Sequence, residues 1–520
     1  MSAKEGERTV SHAQPAVFVR EATGLVKKVS FIDAIAINVS YMSIGAALAL
    51  IGFTMLLLPT VSGVNLVYGS AIAAVLAVPQ MIVYTMMQRR VSRSGGDYVW
   101  LSRSIGGFFG SSITFMGITM ETMPYLALIA LSAVFAIGSV GVIMGDKGMS
   151  VFATPGANPS FQFLLGAGIV SALILVNILK PRLGFRIISI FWIIGIVSLI
   201  VSVASLLLAG KAGVENYVNS LNIVDTTYGS IASSYHGSSF DFRATLLILP
   251  FFALFTYPWF NAAPSVGSEL KGRKTIKWNA PVSLLLTFLL ITIPFATMYY
   301  VGGFGFTNAA LSNSNLVNDY SFNFWTLAMG VTNNFLIQGL IGLGWIVFTL
   351  AVLAFGIITI SRYLLAQAFD RFLPDRLAYV SQRFGSPVAA HILDLVITVA
   401  LIGLASFLYG TISSLYGAVV ASMIYFAFVG AAAIIYGIRH ESKKKSKMTL
   451  VIAGLLQVLV FSYLAYEFFA YPSVWGGNPL AYGYIAATFI AGSLLFLVSR
   501  KRHLRKGIDV SLAFKEIPPE

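Results

Sequence analysis

Nine long stretches of this chain contain no Asp, Glu, Lys or Arg: 34–88, 122–145, 148–179, 187–210, 244–268, 278–318, 320–361, 395–438 and 468–499. A helix needs about 20 apolar residues to cross the hydrocarbon of a bilayer, so the longer stretches hold two crossings each. Hydrocarbon offers no water to the backbone, and such segments must satisfy their own N–H and C=O groups as helices. A membrane barrel would show short alternating strands instead. The balance of 57% hydrophobic and 10% charged residues agrees, since soluble domains carry about 25% charged residues. The chain reads as an all-α membrane protein.

Twelve transmembrane helices are predicted, near 31–58, 66–88, 107–138, 161–179, 185–209, 243–268, 279–301, 335–361, 388–407, 411–438, 448–469 and 480–499. If the N-terminus is cytoplasmic, all but three of the 34 Lys and Arg residues fall on the cytoplasmic side, leaving Lys147, Lys211 and Arg243 outside. Positive charge is retained on the cytoplasmic side of membranes, so this asymmetry predicts a multi-pass protein of the plasma or inner membrane with both termini cytoplasmic. The net charge of +14 is then a topology signal, and no nucleic-acid partner is expected even for the Lys-rich run at 443–447. Residues 1–30 carry no apolar core of a signal peptide, so the first span itself would direct insertion. The absence of cysteine excludes disulfides, thiolate catalysis and Cys-ligated metals.

Two predicted spans carry interruptions. The first places Asn38, Ser40, Ser43 and Gly45 near mid-membrane. The sixth contains Pro258 and Pro264, each of which removes a backbone donor and clashes with the preceding turn. A proline kink or small-residue packing would explain either alone. The pair falls at the first helix of each of two five-helix halves, which points to a midplane binding site in a transporter built from inverted repeats. Half-helix N-termini there would offer positive dipole ends to an anionic group such as a carboxylate.

Three further strings carry a family resemblance. Residues 93–103, RSGGDYVWLSR, resemble the signature loop after the second helix of the amino acid–polyamine–organocation (APC) transporters. Residues 268–273, SELKGR, are similar to that family's string after the sixth helix, and residues 362–374, RYLLAQAFDRFLP, to its run after the eighth. The resemblance implies a LeuT-type 5+5 inverted repeat plus two C-terminal helices, with substrate held between helices 1, 3, 6 and 8. The chain would divide into a cytoplasmic segment 1–30, a first repeat 31–209, an extracellular loop 210–242, a second repeat 243–438, a basic cytoplasmic loop 439–447, helices 448–499 and a tail 500–520. Substrate contacts would come from Ser43, Ile44 and Gly45 and from Phe255, Thr256 and Tyr257, with Trp259 or Phe260 as an aromatic gate. The helix 1 break reads Ser-Ile-Gly-Ala with one glycine, and Asn261 stands where an acid is often found.

Coupling has several candidate groups. Glu121, inside the third span, would exchange a proton or pair with a cationic substrate, or else stabilise the bundle as a hydrogen-bonded acid. Thr359 and Ser361 on the eighth span offer oxygens to Na⁺, or simply bond back to their own helix. Span five contains no lysine, which weakens a coupling mode in which an ammonium replaces sodium. Asp33 is read as a gate or interface ion pair, His391 with Asp394 as a structural pair, and Glu467 as solvated. The expected activity is secondary transport of amino acids by ion-coupled symport or exchange, with H⁺ or Na⁺ as coupling ion and no cofactor or resident metal. Its partners would be the substrate and the lipid bilayer, with the chain a monomer or weak homo-oligomer. A polyamine or organic-amine carrier and a non-transporting nutrient sensor are the alternatives. An enzyme is disfavoured, because no mid-membrane catalytic cluster is visible among the five His.

Overall fold

Apolar runs longer than a bilayer is thick give long helices here, with breaks where proline or clustered polar residues intervene. The computed structural model describes residues 27, 29–154, 156–224, 226–409 and 417–517. Lys4, Arg8, Arg20, Lys28 and the first residues of the tenth predicted span lie outside the described residues.

Eleven helices among the described residues are long and apolar enough to cross a membrane. They cover the predicted spans one to five and seven to twelve, with the first counted across its break. The predicted sixth span is a series of short pieces, Phe242–Leu246, Leu249–Phe255 and Ala262–Ser265. No strand occurs among the described residues, which carry only isolated bridges such as Ser94 with Val266.

Burial separates the helices into a centre and a rim. The apolar window of the first span is 100% buried, that of the eighth 83% and that of the third 78%, against 22% for the twelfth and 28% for the fourth and fifth. Every residue of Leu249–Phe255 and Ala262–Ser265 is buried as well. The interrupted helices are therefore central and cannot be lipid-facing kinks. Short helices form outside the spans at Tyr228–Ser234, Phe304–Leu311 and Phe324–Gly330, within the segments 210–242 and 302–334. Tyr228 stacks on Phe306 with ring centroids 4.4 Å apart and donates to the Gly302 carbonyl.

Lipid tails are as apolar as Leu, so helices in a bilayer associate through close packing and not through hydrophobic exclusion. The tenth helix, Val420–His440, and the eleventh, Lys444–Ala470, meet at two facing glycines. A Cβ on Gly430 would stand 2.8 Å from the Gly454 carbonyl, and one on Gly454 would stand 2.7 Å from the Gly430 carbonyl. Gln457 adds a hydrogen bond to the Phe426 carbonyl across the same seam. Gly454→Val is expected to push the two backbones apart at a cost of about 2 kcal/mol. The check is thermal unfolding in detergent, where an unchanged midpoint would contradict the packing.

Candidate functional site

The first span is helical over Phe31–Tyr41 and again over Ile44–Leu57, with Met42 and Ser43 between. The sixth loses helical form from Thr256 to Asn261. At the break in the sixth span backbone groups lose their helical partners, and side chains take them up. Asn38 of the first span accepts from the Ala263 amide at 2.9 Å and donates to Asn279 of the seventh. Gln80 of the second donates to the Pro258 carbonyl at 2.8 Å, and the Trp259 indole to the Leu254 carbonyl at 3.0 Å. The first and second spans thus take up backbone groups freed at the sixth.

Between them sits a group of aromatic rings from four helices. Tyr41 stands edge-on to Trp259, Tyr125 and Phe355 at 5.5, 6.3 and 6.0 Å, and Tyr125 stacks on Trp259 at 4.9 Å. These rings come from spans one, six, three and eight. Around them lie buried polar atoms with no hydrogen-bond partner: the hydroxyls of Ser40, Tyr41, Ser43, Tyr125 and Thr359, the Asn261 carbonyl oxygen and both carboxyl oxygens of Glu121. Leaving such a group unpaired costs about 1–3 kcal/mol. Their gathering on the central helices marks a place shaped for a polar guest.

Glu121 follows a π-helical stretch, Phe115–Met120, in the third span. The wider π turn releases carbonyls from the helical ladder, and other helices take them up. Ser422 donates to Gly117 at 2.9 Å and Tyr484 to Met120 at 2.6 Å. Tyr125 lies one turn from Glu121 on the same face, which joins the acid to the ring cluster.

The predicted contact residues divide. Ser43 and Trp259 border the ring cluster, and Ile44 starts the second half-helix, whose N-terminus has no side-chain cap. Gly45 turns to the eighth span, where a Cβ would stand 3.0 Å from the Thr349 amide, and its carbonyl accepts from Trp325 at 3.0 Å. Tyr257 points away, bonded to Ser70 at 2.7 Å in a cleft beside spans two and eleven. Phe255 packs on Phe251, Thr256 bonds back to Phe252, and Phe260 is buried with its amide on the Pro258 carbonyl. Ser361 donates to the Ile358 carbonyl in its own helix, whereas Thr359 has no such bond. Sequence reasoning missed Tyr41, Tyr125, Phe355 and Trp325. Of these, only Tyr125 had a signal, its one-turn spacing from Glu121.

Three minor expectations are revised. Asp33 closes a capping box with Ser30, so among the described residues it serves a helix start. Asp394 accepts from Thr398 and not from His391. Glu467 is 5% exposed, so it is not solvated.

Both ends of the site are closed. At the end carrying the basic segments, the three strings distant in sequence form one cluster. Ser94 bonds Ser268 at 2.5 Å, Glu269 pairs with Arg362 at 2.9 Å, and Arg103 and Tyr98 hold Asp370. Asp97 accepts from Tyr84 and Tyr363. At the opposite end, Trp325 from the segment 302–334 covers the second half of the first span.

Central broken helices that face one another around unpaired polar groups define a membrane carrier. The family model for amino acid permeases matches residues 29–505, and the chain belongs to that family. It is also 27% identical over 101 residues to "Uncharacterized protein 399" of Sulfolobus islandicus rod-shaped virus 1. That match spans 19% of this chain and about a quarter, 24%, of the relative. The family points to a transporter of a small molecule and not to an enzyme.

Two predictions follow from the closed end. Arg362 and Glu269 are 6% and 7% exposed, and stripping one charge from such a pair costs about 3–5 kcal/mol. Glu269→Gln should therefore lower the unfolding midpoint in detergent, and a midpoint equal to wild type would refute the role of the pair. Burial pushes Asp97 up to about 6, against the donated hydroxyls of Tyr363 and Tyr84. Its contribution to stability is then full below the ordinary value of 3.8 and is lost as pH rises through about 6. Between about pH 4 and 7 the wild-type midpoint should fall relative to Asp97→Asn, and parallel curves would argue against it.

Proposed function

We propose that this permease is a secondary active carrier of amino acids working by alternating access in the cell membrane, with both termini cytoplasmic. The observation that carries the reading is the meeting of two broken helices at a buried cluster of unpaired polar atoms. The uncapped N-terminus of Ile44–Leu57 presents the positive end of a helix dipole and suits the substrate carboxylate. The C-terminal end of Leu249–Phe255 presents the negative end and suits the ammonium. A zwitterion fits between them, with its side chain toward Tyr41, Tyr125 and Phe355.

Residues 31–209 and 243–438 act in this reading as two five-helix repeats, braced by the last two helices. Separation of the Ser94–Ser268 and Glu269–Arg362 contacts would open the cytoplasmic side. Withdrawal of Trp325 from Gly45 would open the other. Each opening breaks bonds that close the opposite state, so leak through both is suppressed. Glu121 is the coupling group: its unpaired carboxyl lies one turn from the rings and takes up a proton from one side and releases it to the other. An organic amine in place of an amino acid is the second reading, favoured by that same carboxyl as a partner for a cation.

In proteoliposomes, Glu121→Gln should abolish accumulation driven by a pH gradient while leaving substrate-induced thermal stabilisation in place. Accumulation at the wild-type level would remove Glu121 from the coupling. Counterflow of preloaded amino acid should distinguish a carrier from a channel or a sensor.

A further inference from the structure

We infer that a pocket between the loop after the eighth helix and the end of the twelfth binds the headgroup of an anionic phospholipid. The pocket is lined on one side by Phe372, Leu373 and Arg376 and on the other by Val498, Arg502 and Lys506. It lies outside the carrier site and uses none of the residues assigned there.

Its chemistry is split in a way that matches an amphiphile. Phe372 and Leu373 are buried and form an apolar floor, while Val498 is 62% exposed on a face turned to lipid. Above them Arg502, in the last turn of Pro479–Leu504, and Lys506, in the turn just beyond its end, line the pocket, and Arg376 faces them from the loop. None of the three has a side-chain hydrogen bond or ion pair to another described residue. Asp375 is the lone acid in the lining. Three unpaired cations over an apolar wall, at the end of a membrane helix, suit a phosphate whose acyl chains run down Leu495 and Val498. Basic pockets between helices at a membrane surface bind lipid headgroups in this manner.

The pocket also separates two segments that one residue holds together. Its loop begins just after Asp370, the partner of Arg103. The helix that forms its other wall leads into the terminal turn Val510–Phe514, where Arg103 donates to the Ala513 carbonyl at 3.1 Å and stacks on Phe514. A lipid seated there would brace both walls of that junction.

The test is native mass spectrometry of the full chain in neutral detergent, titrated with phosphatidylglycerol, phosphatidylcholine or inorganic phosphate. Phosphatidylglycerol should bind, and the triple change Arg376→Gln, Arg502→Gln, Lys506→Gln should weaken it roughly a hundredfold. Removing the same number of charges at Lys443, Lys444 and Lys445 should change affinity less than about threefold, because that run does not line the pocket. If the triple variant does not fold, Lys506→Gln alone should still lose about fivefold. Equal binding of phosphatidylcholine would overturn the inference. So would inorganic phosphate competing at the lipid's own concentration, or variants that bind as wild type.

Discussion

Everything in this fold answers to one constraint: a backbone group freed inside the membrane has no water to turn to. The sixth segment is broken at Pro258, where the chain centre is fully buried. Its carbonyl is taken by Gln80 and the Ala263 amide by Asn38, so side chains four and five spans away in sequence replace the lost helical bonds. The same logic governs the π turn in the third helix, where Ser422 and Tyr484 take up the carbonyls of Gly117 and Met120. Spans ten and twelve are thereby tied to the centre, although the twelfth is mostly exposed.

Once the backbone is satisfied in this way, the unpaired atoms left over become informative. Some are scattered through the bundle, but one group, on the first, third, sixth and eighth spans, surrounds aromatic rings. A bundle selected only for stability would have replaced them with apolar residues of similar size. Polar groups retained without partners, between two helix ends of opposite dipole, support the proposed carriage of a small zwitterion. The closures above and below use different physics. One is a set of buried ion pairs and hydroxyl contacts, the other a single indole laid over a half-helix.

The spans, their interruptions and the three strings were legible because each is a local property of the chain. Charge-free length marks a crossing helix, and proline marks a break, wherever the segment finally packs. The roles of individual side chains were less so. Gly45 and Tyr257 sit at the breaks, yet the first serves close packing against the eighth helix and the second bonds to Ser70. Glu467, near a helix end, was expected in water and is buried. A side chain's direction depends on how its helix is rotated within the bundle, and hydropathy in a uniformly apolar span carries little record of that rotation.

The sequence by itself determined that this chain is a helical membrane protein, where its helices cross, and that two of them are interrupted. It also showed the strings at 93–103, 268–273 and 362–374 without relating them. Only the tertiary structure decided that these strings close on one another, through Ser94, Ser268, Glu269, Arg362, Arg103 and Asp370. It likewise brought Tyr41, Tyr125, Trp259 and Phe355 to one point. The division has a physical reason. Crossing the bilayer is a demand each segment meets alone, whereas a closure and a binding site exist only where several segments come together.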